Sequence, residues 1–271
     1  MNSNSPRAGS ALFAAVSRHA GALAITCLGC SGVALAQTDT SLGAGSQSST
    51  AGSYDTALGY YALHNDSGNY NTAAGALALI NNTTAGFNNA FGFEALYYNT
   101  TGSYNSAFGF GALFSNTTGA GNSAFGDSAL SANTTGQQNN AFGSYALNRN
   151  TSGIGNNAFG TAALNSNTTG WTNSAFGHFT LYENTTGAAN LAAGYYALYS
   201  NTAGNSNAAL GTQALYASTT GSGNVAFGTN AAGALALAAL PFLRWAKQKL
   251  SAASRGRAQP APARPRPASA P

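Results

Sequence analysis

Charged side chains are scarce in this sequence. They make up 6% of its 271 residues, whereas about a quarter of the residues in an ordinary globular domain are charged. Disordered chains combine low hydrophobicity with high net charge, but 44% of these residues are hydrophobic. The composition therefore excludes a disordered polyelectrolyte and predicts a packed fold of unusual composition.

Basic residues are almost absent from the middle of the chain. Arg149 is the single base between residues 37 and 230, a stretch that also contains all six acidic residues. The sequence pI of about 9.1 therefore reflects the C-terminal tail, which holds seven of the ten Lys and Arg residues. A nucleic-acid-binding body needs a basic face, so we expect no nucleic-acid partner.

Cysteine is absent after residue 30. Cys27 and Cys30 lie in an N-terminal segment with early positive charge, an apolar run and an A-x-A sequence that ends at Ala36, before Gln37. This order is typical of a secretory signal peptide that is cleaved between Ala36 and Gln37. A lipoprotein signal would use one of the cysteines, but neither has a leucine three positions before it. The predicted mature chain has no disulfide and no thiolate.

Patterns of catalytic and metal-binding residues are also missing. His64 and His178 are the only histidines after the predicted signal peptide, and they occupy different repeat positions. No acidic residue recurs at a fixed repeat position, so we expect no carboxylate ladder for calcium. Neither a hydrolase triad motif nor a phosphate-binding glycine loop is present. We therefore expect no enzyme activity, no cofactor and no metal.

What the sequence does have is a 17-residue repeat. The consensus N-x-A-F-G-x-x-A-L-x-x-N-T-T-G-x-x recurs about ten times in residues 54–230, without an insertion. A fixed period requires each unit to stack on the next with the same geometry, as in a solenoid. Since 17 residues are too few for a two-helix repeat, we predict a mainly β fold, a parallel β-solenoid of about ten coils.

Three residue types recur at this period and are predicted to form ladders along the solenoid axis. The first asparagine series is Asn71, Asn88, Asn105, Asn122, Asn139, Asn156, Asn173, Asn190, Asn207 and Asn224. The glycine series includes Gly92, Gly109, Gly126, Gly143 and Gly160, and the leucine series includes Leu96, Leu113, Leu130, Leu147 and Leu164. A second asparagine series runs from Asn65 to Asn201.

Each unit is predicted to begin with a strand. Its alternation places Asn122, Ala124 and Gly126 on one face, with Ser123 and Phe125 on the other. The following A-L-x-x-N segment fits a second strand or a single helical turn. The N-T-T-G segment predicts a turn in which glycine supplies a positive φ, and Leu and Phe are expected to fill the interior.

The copy before the regular repeats is less complete. It spans Asp55 to Gly68 and lacks one residue, which we place between Leu63 and Asn65. A shorter fragment at residues 41–43 is predicted to cap the N-terminal end of the solenoid, because terminal repeats of such folds are atypical.

The unit resembles the Hep/Hag-type head repeat of trimeric autotransporter adhesins, the YadA-like head. Those repeats have a serine-valine-alanine-isoleucine-glycine strand, then G-x-x-A and a second glycine turn. Residues 122–126, Ala129 and Gly136 follow the same order, with Phe where the family often has Ile. The N-T-T-G units also look like repeats of phage-type tail-fibre proteins. The resemblance implies a left-handed β-roll, a homotrimer and display on the bacterial cell surface at the outer membrane.

The C-terminal region departs from that family. Such adhesins end in a stalk and a membrane anchor, and residues 231–271 are too short for either. We predict an apolar and basic helix over 231–253 and a disordered Pro/Ala/Arg-rich tail over 254–271. The helix either caps the solenoid or makes peripheral contact with a membrane surface. The other predicted segments are the signal peptide at 1–36, a cap or linker at 37–53 and the solenoid at 54–230.

Variable repeat positions carry the residues expected to contact a partner. Exposed Tyr and Trp make good contact residues, and the candidates are Tyr97, Tyr98, Tyr104, Trp171, Tyr195 and Tyr196. The leading hypothesis is a secreted or surface-displayed, adhesin-like virulence protein that binds a host, matrix or cell-surface receptor. Alternatives are a phage-type tail-fibre-like fragment and an ice- or surface-lattice-binding solenoid that uses the recurring threonine pairs.

Overall fold

The structure is a computed structural model that describes residues 16–19, 22–25, 39–47 and 52–231. Strands β1 (Val16–His19) and β2 (Ala22–Ile25) pair antiparallel within the predicted signal peptide. The predicted cleavage point, between Ala36 and Gln37, lies outside the described residues. So do the tail predicted to be disordered and all of the predicted C-terminal helix except Ala231.

Twelve strands of three residues each form one parallel sheet, and they stack in the order of the sequence. Among the described residues there is no helix, and the twelve strands give eleven coil-to-coil steps. The predicted parallel β-solenoid is therefore confirmed. The strands are β3 Thr40–Leu42, β4 Thr56–Leu58, β5 Thr72–Ala74, β6 Asn89–Phe91, β7 Ser106–Phe108, β8 Ser123–Phe125, β9 Asn140–Phe142, β10 Asn157–Phe159, β11 Ser174–Phe176, β12 Leu191–Ala193, β13 Ala208–Leu210 and β14 Val225–Phe227.

The two N-terminal coils are one residue shorter than the others. Thr40 pairs with Thr56 and Thr56 with Thr72, whereas every later pairing joins residues 17 positions apart. Residues 41 and 42, part of the predicted cap fragment, thus belong to the first strand of the stack. The whole sheet starts at Thr40, ahead of the boundary predicted for the solenoid.

The predicted position of the missing residue is wrong. Asp66 Oδ1 accepts a hydrogen bond from Asn82 Nδ2 at 2.6 Å, so Asp66 takes the second asparagine position in its coil. Asn65 is instead exposed and donates its side-chain amide to the Ile80 carbonyl. The residue is therefore missing in the turn after Asp66.

The A-L-x-x-N segment is neither a strand nor a helix but a pair of tight turns. Leu96 has a φ of 54°, a left-handed conformation that is uncommon for a residue other than glycine. The Asn99 N–H donates to the Leu96 carbonyl at 3.1 Å, and the Leu96 N–H donates to Ala112 of the next coil at 3.0 Å. The turns thus satisfy their backbone groups along the axis without forming a ladder of strands.

Alanine and leucine fill the interior. The middle residue of each strand is alanine from β4 to β14, and Ala124 and Leu130 are both fully buried. The expectation that phenylalanine lies inside is wrong, because Phe is the third strand residue and points to the side opposite Ala. Phe159 is 38% exposed and Phe227 is 69% exposed. In most coils the interior is occupied by one Ala from the strand and by an Ala and a Leu from the turn that follows it.

The two glycine positions are required for different reasons. Gly126, which follows a strand, has a φ of +140°, and a Cβ there would lie 2.6 Å from the Gly143 carbonyl of the next coil. Gly119 of the N-T-T-G turn does not have a positive φ, so that prediction is wrong. A Cβ at Gly119 would instead lie 2.3 Å from the Gly136 oxygen, so close stacking of the coils favours glycine, although the equivalent residue of an earlier coil is Ala85.

Candidate interaction surface

The first asparagine series forms a buried hydrogen-bonded column, here named the strand ladder (Asn71 to Asn224). The Asn122 N–H donates to Asn105 Oδ1 at 3.0 Å, and Asn122 Nδ2 donates to the same oxygen at 3.2 Å. Asn122 Nδ2 also donates to the Gly136 carbonyl at 2.9 Å. From Asn105 to Asn207 each side chain both accepts and donates, as an amide allows, whereas Asn88 Nδ2 has no partner among the described residues.

The second series forms the turn ladder (Asn82 to Asn201). Asn116 Nδ2 donates to Asn99 Oδ1 at 2.8 Å and to the Gly119 carbonyl at 2.9 Å. Asn105 of the strand ladder donates to the same carbonyl, also at 2.9 Å, so the two ladders meet there. The turn-ladder amides are fully buried, and their N-x-[ST] sequences therefore serve the turn in the folded chain.

Aspartates replace asparagine at the N-terminal end of both ladders. Asp39 and Asp55 continue the strand ladder, since the Asp55 N–H donates to Asp39 Oδ1 and the Asn71 N–H donates to Asp55 Oδ1. The expectation that no acidic residue recurs at one repeat position is thus wrong for the two short coils. Burial raises the pKa of Asp55 to about 7, and burial also raises the pKa of Asp66.

A continuous apolar stripe runs along the outer face of the sheet. It consists of the third residue of every strand and is here named the outer stripe: Leu42, Leu58, Ala74, Phe91, Phe108, Phe125, Phe142, Phe159, Phe176, Ala193, Leu210 and Phe227. The six consecutive phenylalanine rings stack with centroids 4.6–5.3 Å apart and planes within 10° of parallel. The stripe is partly exposed over its whole length.

A second aromatic column is confined to the N-terminal coils. Tyr54, Tyr70, Phe87 and Tyr104 stack with centroids 4.9–5.0 Å apart, and each is about half exposed or more. The equivalent residue of the next coil is Gly121, which ends the column. Tyr104, one of the predicted contact residues, is its last and most exposed ring, at 65%.

The remaining predicted contact residues lie in separate places. Tyr97 and Tyr98 contact each other and Phe114 in the N-terminal half. Trp171 is 56% exposed and belongs to none of the aromatic clusters in the described coils. Tyr195 and Tyr196 belong to a C-terminal aromatic cluster, whose seven rings are His178, Phe179, Tyr182, Tyr195, Tyr196, Tyr199 and Tyr216.

The C-terminal aromatic cluster was only partly predicted from the sequence. Tyr182, Tyr199 and Tyr216 stack in a column with centroids 5.3 Å apart. Their 17-residue spacing in the sequence predicts this column. The pKa of Tyr199 is raised, first by burial and then by the negative charge of Glu183. The equivalent positions in the central coils include Asn148 and Asn165, so polar coils separate the aromatic regions of the two halves.

The two threonines of each turn have different environments. The first hydroxyl is tied to the next coil, as where Thr117 Oγ1 donates to the Thr134 carbonyl at 3.0 Å. The second, such as Thr118 or Thr135, is exposed in coil after coil. Only the second column is therefore available to an external partner.

The described residues contain no group of three or more His, Cys, Asp or Glu that could hold a metal ion. In the same residues, no helix is long and apolar enough to cross a membrane. No protein-family model, curated protein or solved structure matches this chain.

Proposed function

We propose that this protein is a secreted or surface-displayed, adhesin-like rod that attaches to its partner through aromatic residues on the solenoid surface. The observation that carries the proposal is the difference between the side chains inside the solenoid and those on its surface. The interior is occupied by Ala, Leu and hydrogen-bonded Asn side chains, while many large aromatic side chains lie on the outer surface. Tyr and Trp are enriched at protein interfaces, where they dominate binding energy.

Self-association into a homotrimer is the second part of the proposal, with the outer stripe as the subunit interface. At about 4.8 Å per step, the stripe is roughly 50 Å long. Contiguous exposed apolar patches of more than a few hundred Å² are rare on monomers and mark interaction sites. A second and a third copy of the chain present the same stripe, and their packing would remove it from water.

Light scattering of the mature protein tests the oligomeric state. We expect a mass three times that of one chain, and a monomeric mass for the double variant Phe125→Lys/Phe142→Lys, since lysine would place charge inside the interface. Thr118→Lys/Thr135→Lys adds the same charge at the exposed turn and should remain trimeric. A monomeric mass for the unchanged protein would contradict the trimer.

Attachment is tested by cell fractionation and a binding assay. We expect the protein in the medium or at the cell surface, and we expect the purified protein to bind host cells or matrix. Replacing Tyr195 and Tyr196 together by Ala should reduce binding at least tenfold, and replacing Tyr97 and Tyr98 tests the other aromatic region. Thr118→Ala is the control. Unchanged binding by both double variants would count against the aromatic surface.

A lattice-binding function is the second candidate, favoured by the exposed column of second turn hydroxyls. Its members are Thr84, Thr101, Thr118, Thr135, Ser152, Thr169 and Thr186. Inhibition of ice recrystallisation that is lost on replacing Thr118 and Thr135 by Lys would support it. The absence of inhibition in the unchanged protein would remove it.

A further inference from the structure

The carbonyl group of Gly68 lacks the donors that its equivalents have. In most regular coils this carbonyl accepts two side-chain amides, as where Gly119 accepts from Asn105 and Asn116, and in the others it accepts one. In the coil of Gly68, the two corresponding side chains are Asp55 and Asp66. No donor to the Gly68 oxygen is found within the described part of the chain.

Of the two aspartates, Asp66 is the one whose hydrogen bonds favour the charged carboxylate. Asp66 Oδ1 accepts from the Gly68 N–H at 2.8 Å and from Asn82 Nδ2 at 2.6 Å. Asp66 Oδ2 accepts from Asn71 Nδ2 at 3.1 Å. Hydrogen bonds that are donated to a carboxylate favour its charged form, and both oxygens of Asp66 receive them.

Asp55 is placed differently. Oδ1 accepts the Asn71 N–H at 2.7 Å, but Oδ2 is buried and has no partner among the described residues. A Cβ built on Gly52 would lie 2.4 Å from the Gly68 oxygen and 2.6 Å from Asp55 Oδ2, so both oxygens lie close to Gly52. Buried acceptors that lie near each other without a donor are stabilised by a proton that one of them can donate.

We propose that Asp55 is protonated in the folded protein and that its Oδ2–H donates a hydrogen bond to the Gly68 carbonyl, where the other coils use an asparagine amide. A protonated carboxyl has one donor and one acceptor oxygen, which matches the amide in shape and in function. The N-terminal coils are thereby a pH-sensitive end of the rod, because loss of this proton leaves two neighbouring carboxylates and one carbonyl without a donor.

The charged groups around Asp55 also favour its protonated form. Burial has the largest effect in raising its pKa, and the charges of Asp66 in the same coil and Asp39 in the preceding coil raise it further. The other ionisable group of this coil near the turn is His64, whose Nδ1 lies 2.8 Å from the Gly45 carbonyl. The following coil, residues 71–87, contains no charged residue.

The direction of the pH dependence follows from this shift. The pKa of Asp55 is 3.8 in an ordinary setting and about 7 in the folded chain, so the folded chain holds one more proton between these pH values. Stability is therefore complete below about pH 4 and falls as the pH rises towards about 7. Within this window the folding equilibrium of the N-terminal coils weakens by up to about tenfold per pH unit.

The test is a titration of the full mature chain labelled with ¹³C at the aspartate carboxyl carbons. The chain has four aspartates, at 39, 55, 66 and 127, and single Asn variants assign their signals. We expect the Asp55 signal to titrate near neutral pH and its midpoint to fall in Asp66→Asn, where the new amide supplies the donor to Gly68. A midpoint near 4 for Asp55 in the unchanged protein would overturn the proposal.

Unfolding measured by hydrogen exchange provides the second readout. Asp55→Asn restores the side chain found in the regular coils, so it should fold, reduce the loss of N-terminal protection between pH 4 and pH 7 and increase protection at pH 7. Asp127→Asn, a change at an exposed aspartate, should leave the pH dependence as it is. Because the pKa of Asp66 is also raised, a weaker pH dependence should remain, and one as steep in Asp55→Asn as in the unchanged protein would refute the proposal.

Discussion

The two N-terminal coils and the regular coils share one backbone but differ in the chemistry of their ladders. In the central coils each ladder position is an amide that accepts from one neighbour and donates to another. In the short coils aspartates lie at three of these positions, Asp39 and Asp55 in the strand ladder and Asp66 in the turn ladder. The leucine column also ends in a polar residue there, since the Gln47 N–H donates to the Ala62 carbonyl just as the Leu63 N–H donates to Ala78.

The difference shows what a ladder end requires. Asp39 and Asp66 are the first members of their ladders within the described residues, so no earlier side-chain oxygen among these residues needs a donor from them. A carboxylate that only accepts is sufficient at such a position. Asp55 is the exception, because it lies one coil inside the strand ladder and must donate as the asparagines do.

The largest expected loss of stability comes from replacing the glycine that follows each strand, in the short coils and in the regular coils alike. Gly126→Ala combines a φ of +140° with a Cβ only 2.6 Å from the next backbone, and should cost about 3 kcal/mol or more. Gly111→Ala is the control, since its φ is +58° and nothing lies within 4 Å of a Cβ there. We expect about 1 kcal/mol for the control. If both variants lost the same stability in urea unfolding, the distance between stacked coils would not be the reason that glycine is needed at position 126.

An aspartate placed in the centre of the strand ladder should destabilise the fold more than an aspartate near its end. Asn122→Asp removes the amide that donates to Asn105 Oδ1 and Gly136, with an expected cost of about 2–4 kcal/mol at pH 7. Burial should raise the pKa of the new carboxyl. The protonated form would donate again, and the loss should shrink as the pH falls towards 4.

The control for this prediction is Asp127→Asn, which changes one charge at an exposed position. Thermal unfolding at pH 4 and pH 7 measures both variants. A cost for Asn122→Asp that does not depend on pH would mean that its carboxyl stays charged, and that the ladder tolerates an acceptor without a donor.

Some features of this fold could be predicted from the sequence because they depend on the period alone. Identical units must stack in identical register, and Ala90 lies opposite Ala107 as the 17-residue spacing requires. Strand alternation also predicts that Phe125 points away from Ala124. The hydrophobicity of Phe favours the interior, but the small space beside Ala124 and Leu130 has no room for the ring.

Other features depend on contacts that no single unit contains. The left-handed φ of Leu130 opposes its local preference and is imposed by stacking on neighbouring coils. The choice between Asn65 and Asp66 for the ladder could not be made by counting, since a gap on either side preserves the period of the later coils. The hydrogen bond from Asn82 decides it.

The smallest expected effect concerns the aromatic column on the outside of the N-terminal coils. Tyr70 stacks between Tyr54 and Phe87 with centroids 4.9 Å away on each side, and Tyr70→Ala removes both pairs. Stacked pairs contribute about 0.5–1.5 kcal/mol each, and partial exposure places the expected loss at about 1–2 kcal/mol. Because repeats contact only their neighbours, hydrogen exchange should show the loss in the N-terminal coils alone. Gln138→Ala, at the equivalent position of a regular coil, should change stability by less than about 0.5 kcal/mol. A loss of protection that spread evenly along the rod would show that the short coils and the regular coils unfold together, and the acidic end would then govern the stability of the whole solenoid.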